Sequence, residues 1–455
     1  MLIKHFYVEK IAHSSYLIAG NKSCAIIDPS RDIDKYLEEA YKRDLKITHI
    51  IQTHLHADFV SGHMDLAKET GAEIYMPKSA NANFPTVELV EGDSFEIEDI
   101  KFEVLETPGH TPEHICYVVY DLSRSEEPSG VFTGDTLFVG DVGRPDLFPD
   151  KKKELADKLF DSLRKLMKLP DYCEVYPAHG AGSLCGKAMA AKYRSTIGYE
   201  KRFNPLLNIE DRNEFIKSLT ENMPEVPDHF ALCSDLNRQG PTLIDDLEPI
   251  EAFNPDQFYK KYIDGDAVVI DVRSYICFGG AHIPESYSIS FNGNLPIFAG
   301  WIIPFDKDIL LVAENDEQVF ETMMWLQRVG LDRTVGYLKG GIEKWVASGY
   351  TVDYIDQLNI FEAIELVEDN DYIVIDTREK SVFSEFHIPD AINISSPDLR
   401  ERYTELDMEK DYLLICKSGN SSNMGASILK MKGFDNISVI AGGMKSYEKY
   451  LEGEE

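Results

Sequence analysis

Apolar and polar positions fall into short blocks along this chain, and the spacing within each block predicts its element. Ser23–Asp28 (SCAIID) is a brief apolar run closed by Asp28-Pro29, a buried strand ending in a turn. Asp34–Leu45 places Tyr36, Leu37, Ala40 and Tyr41 at helical spacing. Ile47–Ile51 is a β-branched strand, and Met64–Thr70 reads as a helix stopped by Gly71. Phe95–Ile100 and Phe102–Leu105 read as strands, Lys187–Leu207 and Arg212–Thr220 as helices. The breakers Met223-Pro224, Val226-Pro227 and Gly240-Pro241, followed by acidic Asp245–Glu248, mark a boundary.

Beyond that boundary the pattern repeats. Val268–Arg273 (VVIDVR) answers Ile373–Arg378 (IVIDTR), and Ala281–Pro284 (AHIP) answers Phe386–Pro389 (FHIP). Asp271 and His282 keep the same spacing as Asp376 and His387, and Gly340-Gly341 answers Gly442-Gly443. The apolar runs Ile309–Ala313 and Leu413–Cys416 each precede a helical stretch. Short apolar strands separated by helices make βαβ units, hence a parallel sheet covered on both faces. The expected organisation is therefore an α/β multidomain chain with regions 1–245, 248–352 and 353–455.

The length of 455 residues agrees with three domains at roughly 150 residues each. A hydrophobic content of 43% is enough for several cores. The formal charge of −33 argues against a nucleic-acid or anionic-membrane surface, but leaves an anionic substrate open. Seven scattered cysteines suggest no disulfide framework and a reducing, cytoplasmic setting. Met1–Lys10 lacks the apolar core of a secretory signal. Leu295–Phe305, interrupted by Pro296 and Pro304, is too short to span a bilayer.

Four short motifs carry the chemistry of the first region. Thr53–His63 (THLHADFVSGH) presents His54, His56 and Asp58 at alternate positions. His110 lies in TPGHT, Asp135 follows Gly134 in TGDTLF, and His179 precedes Gly180 in PAHG. One such residue in a loop is ordinarily solvated. Four in series, each at a strand-to-loop junction, point to a metal site. Two histidines and a carboxylate that leave positions open suit non-haem Fe(II) and O₂, and Zn(II) accepts the same donors.

THLHAD, TPGHT, TGDTLF and PAHG resemble the successive metal motifs of the metallo-β-lactamase superfold, which implies an αββα sandwich with the site at one edge. Phe59 stands where dinuclear members of that superfold carry a further histidine, so a single metal is expected. HADFVSGH, TPGHTPEHI, GDTLFVGDVGRPDL and STIGYEKRFNPLL are similar to the persulfide dioxygenase branch. That resemblance implies one Fe(II) per chain on His54, His110 and Asp135, with O₂ as co-substrate. His56, Asp58 and His179 would then orient the ligands or the substrate. Arg144 is a candidate for a substrate anion, with a surface salt bridge as the alternative. Cys185, soon after His179, is a sulfur relay or simply a small buried apolar residue.

The repeated DxR…HIP…GG set resembles the rhodanese family of sulfurtransferases. It implies that Cys416, in LLICKSGNSSN, is the nucleophile that carries persulfide sulfur. Cys416 ends a strand, Gly419 and small polar residues form a loop, and Met424–Met431 reads as a helix. Backbone N–H groups in such a loop stabilise a thiolate or persulfide anion, and Lys417 adds a positive charge. Ser421 stands where the family carries an arginine, which weakens binding of thiosulfate-like dianions. The second region has Ala313 at the cysteine position, followed by Glu314, Asn315 and Asp316, so it is expected to be an inactive copy.

The expected activity is Fe(II)-dependent oxidation of a low-molecular-weight persulfide, or of polysulfide, to sulfite. Cys416 would then transfer sulfur to give thiosulfate. The expected partner is a small thiol persulfide of glutathione, coenzyme A or another thiol, with no nucleic acid and no membrane. Relatives imply a homo-oligomer. The alternative is a glyoxalase II-like thioester hydrolase using zinc-bound hydroxide.

Overall fold

The structure, a computed structural model, describes residues 1–221, 223–368 and 372–453. It divides into two units: Met1–Leu247 with Gln327–Gly330, and Glu248–Leu326 with Leu331–Glu455.

The first unit contains two six-stranded sheets. One runs in chain order through Leu2–Val8, His13–Ala19, Ser23–Ile27, Lys46–Ile51, Glu73–Pro77 and Val87–Leu89. The other runs Ser195–Thr196, Glu174–Pro177, Pro128–Gly134, Ile115–Asp121, Ile100–Glu106 and Ser94–Ile97. Side chains alternate across a strand, so each apolar run serves two cores. Tyr16, Ile18, Ala25 and Ile27 face the other sheet, where Phe102, Val104, Tyr117, Val119 and Phe132 meet them. Leu17, Cys24 and Ile26 face outward, onto Tyr36 and Ala40 of helix Asp34–Lys42 and Leu66 of helix His63–Thr70. The outer face of the second sheet is covered by Leu159 and Leu163 of helix Lys152–Leu166 and by Phe215 and Leu219 of helix Arg212–Thr220. The result is the four-layer αββα sandwich.

Two expectations fail here. Phe95–Ile100 is not one strand: Ser94–Ile97 ends at a turn where Glu98 takes a φ of +54°, and Ile100–Glu106 pairs back on it. Residues 187–207 are helical only over Ile197–Phe203. Asp141 accounts for the irregular start, because its carboxylate accepts from the backbone N–H groups of Lys187 (2.7 Å) and Ala188 (2.6 Å). Those groups cap a loop instead of opening a helix.

The second unit holds two five-stranded sheets of the same plan. One orders Glu251–Phe253, Thr334–Leu338, Asp308–Val312, Ala267–Asp271 and Ser286–Ser288. The other orders Asp356–Leu358, Ile437–Ile440, Asp411–Ile415, Tyr372–Asp376 and Ile392–Asn393. Every pairing in both is parallel. The repeated motifs do the same structural work in each copy. Arg273 clasps Asp271 and donates to the carbonyl of Ala281, and Arg378 does so with Asp376 and Phe386. His282 Nδ1 donates to Phe278 O and His387 Nδ1 to Phe383 O, both at 2.9 Å. The copy without a cysteine keeps all of these contacts, so the DxR…HIP set is scaffolding for the sheet edge. Among the described residues, no helix is long and apolar enough to cross a membrane.

Candidate metal centre and cysteine loop

Strand Lys46–Ile51 delivers the chain into Gln52–His63, which is buried almost throughout. A buried loop must find partners for its polar groups inside the protein. Asp28, at the end of the neighbouring strand, supplies several of them. Its φ of +49° turns the carboxylate toward Thr53, from whose N (2.8 Å) and Oγ1 (2.9 Å) it accepts. With its hydroxyl proton committed to Asp28, Thr53 Oγ1 accepts from His54 Nδ1 at 2.9 Å. The His54 proton therefore sits on Nδ1, and the Nε2 lone pair faces inward. His110 follows the same logic, its Nδ1 donating to the carbonyl of Arg144 at 2.9 Å.

The two free lone pairs converge on Asp135. His54 Nε2 lies 3.9 Å and His110 Nε2 3.4 Å from Asp135 Oδ2. Both nitrogens are buried without a hydrogen-bond partner. Orphaned buried acceptors are rare in native interiors and mark a place for an ion or ligand. The three ligand atoms all lie within 4.8 Å of one another. Burial, with His56 and His114 alongside, pushes His54 well below the usual imidazole range, and burial also lowers His110. Both rings are thus neutral, the form that ligates. Two imidazoles and one carboxylate fit a single divalent cation with positions left open.

Asp135 is held from two sides. Gly134 before it has φ +49°, and a Cβ there would lie 2.5 Å from His114 Nε2. That close approach lets the N–H of Asp135 donate to His114 Nε2 at 2.9 Å. Burial pushes His114 down to about 3, so it remains a neutral acceptor. On the other side, His179 Nδ1 donates to both Asp135 oxygens, at 2.8 and 3.0 Å, and its Nε2 lies 2.8 Å from Asp58 Oδ2. Burial opposes charge on both partners. The mutual attraction of His179 with Asp135 and Asp58 outweighs it, so His179 is raised well above its usual value and Asp135 is held below its own.

The cysteine loop of the third region is built by a different device. Cys416 follows strand Asp411–Ile415, as Ala313 follows strand Asp308–Val312 in the other copy. The next helix begins at Asn420, four residues earlier than the apolar spacing predicts, with Gly419 as N-cap at φ +104°. Gly419 N donates to Cys416 Sγ at 3.1 Å, and Ser422 Oγ lies 3.3 Å from the same sulfur. A helix N-terminus and an N–H aimed at sulfur favour an anion there. Lys417 is exposed on the same turn.

The comparisons agree with this architecture. The metallo-beta-lactamase superfamily profile matches residues 9–179, and the rhodanese-like domain profile matches 254–348 and 361–450. The chain is 32% identical over 209 residues to the hydroxyacylglutathione hydrolase GloC of Haemophilus influenzae, covering 88% of that protein and 41% of this one. The crystal structure of a metallo-beta-lactamase from Staphylococcus aureus is 34% identical, with a TM-score of 0.67, over 74% of this chain and 98% of that one. The crystal structure of ETHE1 from Myxococcus xanthus is 29% identical, with a TM-score of 0.46, over 52% of this chain and 98% of that one. The chain belongs to the metallo-beta-lactamase superfamily. It carries two rhodanese-like domains behind that fold.

Within this metallo-beta-lactamase chain the other residues singled out by sequence take defined places. His56 stands outside the three-donor group, its Nε2 3.1 Å from Asp28 Oδ1. Asp58 meets His179, as described. Phe59 is fully buried, its ring centroid 4.1 Å from that of His13 and 4.5 Å from that of His56. Cys185 packs with Ala57, Phe138 and Phe230, and its sulfur lies within 4.8 Å of ligand atoms of Asp58 and His179. Burial, with both Asp58 and Asp135 nearby, pushes its thiol well above the usual range. The expectation for Arg144 needs correction. It is fully buried, and its guanidinium donates to Asp146 and to the carbonyls of Leu184 and Pro224. It is therefore a clamp under the site, neither a substrate anchor nor a surface ion pair. Sequence reasoning passed over Asp28 and His114. Asp28 closes the apolar run of SCAIID, and His114 stands just before strand Ile115–Asp121, in EHICY.

Proposed function

We propose that this chain is an Fe(II)-dependent persulfide dioxygenase whose third region is a sulfurtransferase. The observation that carries the proposal is the donor set. Two neutral imidazoles and one carboxylate converge, and buried Phe59, which has no lone pair, stands where the family resemblance places a further histidine beside the second buried donor group of Asp58, His179 and Cys185. Fe(II) on His54, His110 and Asp135 would bring the persulfide and O₂ together. The protein's own part is positioning. Thr53 and the Arg144 carbonyl fix the two tautomers, His179 keeps Asp135 ionised, and the buried loop excludes bulk water. The balanced reaction is RSSH + O₂ + H₂O → RSH + SO₃²⁻ + 2H⁺, with a small thiol such as glutathione as R.

Cys416 supports the second step. Its thiolate attacks the outer sulfur of RSS⁻, and RS⁻ leaves. Sulfite then takes that sulfur from Cys416–S–S⁻, giving thiosulfate and the free thiolate. Gly419 N–H and Ser422 Oγ stand ready to hold the anion. The test is the Cys416→Ser variant, iron-loaded and given glutathione persulfide. It should retain oxygen uptake and lose thiosulfate; unchanged thiosulfate removes Cys416 from the pathway. We place the protein in the cytoplasm on its seven free cysteines, and as a homo-oligomer on its family resemblance.

A second reading is a thioester hydrolase, favoured by the 32% identity to a hydroxyacylglutathione hydrolase. Phe59 argues against it, because that chemistry uses the fuller ligand set of a two-metal site. Two zincs per chain and turnover of S-lactoylglutathione would establish it.

A further inference from the structure

The rhodanese-like copy without a cysteine reaches into the loop of the copy that has one. Helix Asn420–Met431 is buried from Ser422 through Leu429. Its Ser427 Oγ accepts from the N–H of Ser288, on the edge strand of the other copy, at 3.1 Å. Nearer the sulfur, the contact is made by Tyr275. A Cβ placed on Gly419 would lie 2.7 Å from Tyr275 Cζ and 2.8 Å from Cε2, so the ring occupies the space that the glycine leaves. The Tyr275 hydroxyl accepts from the N–H of Gly442 at 3.3 Å. The turn that Gly442 opens closes on the cysteine loop from behind. Met444 N donates to Cys416 O at 2.8 Å, and Lys445 N to Lys417 O at 3.3 Å.

One side chain thus touches both walls of the loop. The equivalent position in the third region, two residues after the arginine of DxR, is Lys380, which is exposed. Tyr275 is therefore not scaffolding shared by both copies, unlike Arg273 and His282. We infer that Tyr275, supplied by the cysteine-less copy, is a positioning residue for sulfur transfer at Cys416. Its ring seats Gly419 so that the Gly419 N–H points at Sγ, and its hydroxyl anchors the glycine turn that holds the loop carbonyls. This rests on the reading of Cys416 as the sulfur carrier.

The test uses the full iron-loaded chain under anaerobic conditions, with glutathione persulfide as donor and sulfite as acceptor. No net redox change is needed, since RSS⁻ + SO₃²⁻ gives RS⁻ + S₂O₃²⁻. Tyr275→Ala should lower kcat for thiosulfate about tenfold, the factor one hydrogen bond to an anion supplies, with KM for the persulfide little changed. Hydrogen exchange at residues 416–422 should quicken, while aerobic oxygen uptake stays at the wild-type rate. Tyr275→Phe should restore most of kcat. Wild-type kcat and exchange in Tyr275→Ala would overturn the proposal, as would Tyr275→Phe being as slow as Tyr275→Ala. If Tyr275→Ala does not fold, Tyr275→Leu, which fills the space without a flat ring, is read on the same scale. Cys416→Ser separates the two ideas. If it still makes thiosulfate, the sulfur-carrier reading falls, and the exchange data alone then report whether Tyr275 seats the loop.

Discussion

His179 Nδ1 donates to both oxygens of Asp135, at 2.8 and 3.0 Å, so the histidine of the fourth motif holds the carboxylate of the third. An imidazole engaged in this way has no lone pair left for a metal on that nitrogen. Partners of this kind typically contribute 10- to 100-fold to metal affinity. His179→Ala should therefore weaken Fe(II) binding by about 10- to 100-fold without abolishing it. His54→Ala, which removes a donor, should be worse. Competition against a chelator measures both. Equal losses would mean that His179 is itself a ligand.

If the site holds a single metal, Phe59 is the residue that sets that count. Its ring is buried beside His13 and His56, and Asp58 and His179 lie close by. Phe59→His restores a nitrogen of suitable size at that place. Zinc-loaded Phe59→His should bind two ions per chain by elemental analysis, where the wild type binds one. A count of one in the variant would show that the ring does not stand in a second site.

Gly134 is a backbone requirement. A side chain there meets a φ of +49° and a Cβ position 2.5 Å from His114 Nε2. The left-handed conformation alone costs about 1–2 kcal/mol. Adding the collision, Gly134→Ala should lower the unfolding midpoint by roughly 4 °C or more. It should also weaken metal binding, because Asp135 must shift. Differential scanning calorimetry with and without metal checks both.

Ser421 occupies the first turn of the helix after Cys416, and its carbonyl accepts from Ser396 Oγ. Only its side chain separates this loop from the arginine-bearing pattern of the rhodanese family. Ser421→Arg should lower KM for thiosulfate about tenfold in a thiosulfate-to-cyanide assay, since a guanidinium binds such a dianion with two parallel N–H bonds. An unchanged KM would place the dianion elsewhere.

Much of this was legible in the sequence. The strand-to-loop positions of His54, His110, Asp135 and Cys416 follow from apolar runs that stop just before these polar residues or the short loops that carry them. The tandem copies follow from matched spacing. What was not legible depended on contacts across long separations. Asp28 acts through Thr53, 25 residues on, and His179 acts through Asp135, 44 residues back. Arg144 read as a substrate anchor or a surface ion pair because a charge beside a glycine turn is usually exposed, and nothing local reveals the carbonyls of Leu184 and Pro224. Helix 420–431 began early because Gly419 can take a positive φ, a backbone cue that hydrophobic spacing does not contain. Tyr275 was invisible for a further reason: its partner lies in the other copy of the repeat.

One Fe(II) on His54, His110 and Asp135 is proposed to serve persulfide oxidation. The most direct measurement is oxygen uptake by anaerobically purified protein, reloaded with either Fe(II) or Zn(II) and given glutathione persulfide. The iron form should hold one iron per chain and consume one O₂ for each sulfur released as sulfite or thiosulfate-bound sulfite, with no uptake by the zinc form. No uptake by the iron form, together with two zincs per chain and turnover of S-lactoylglutathione, would contradict that proposal.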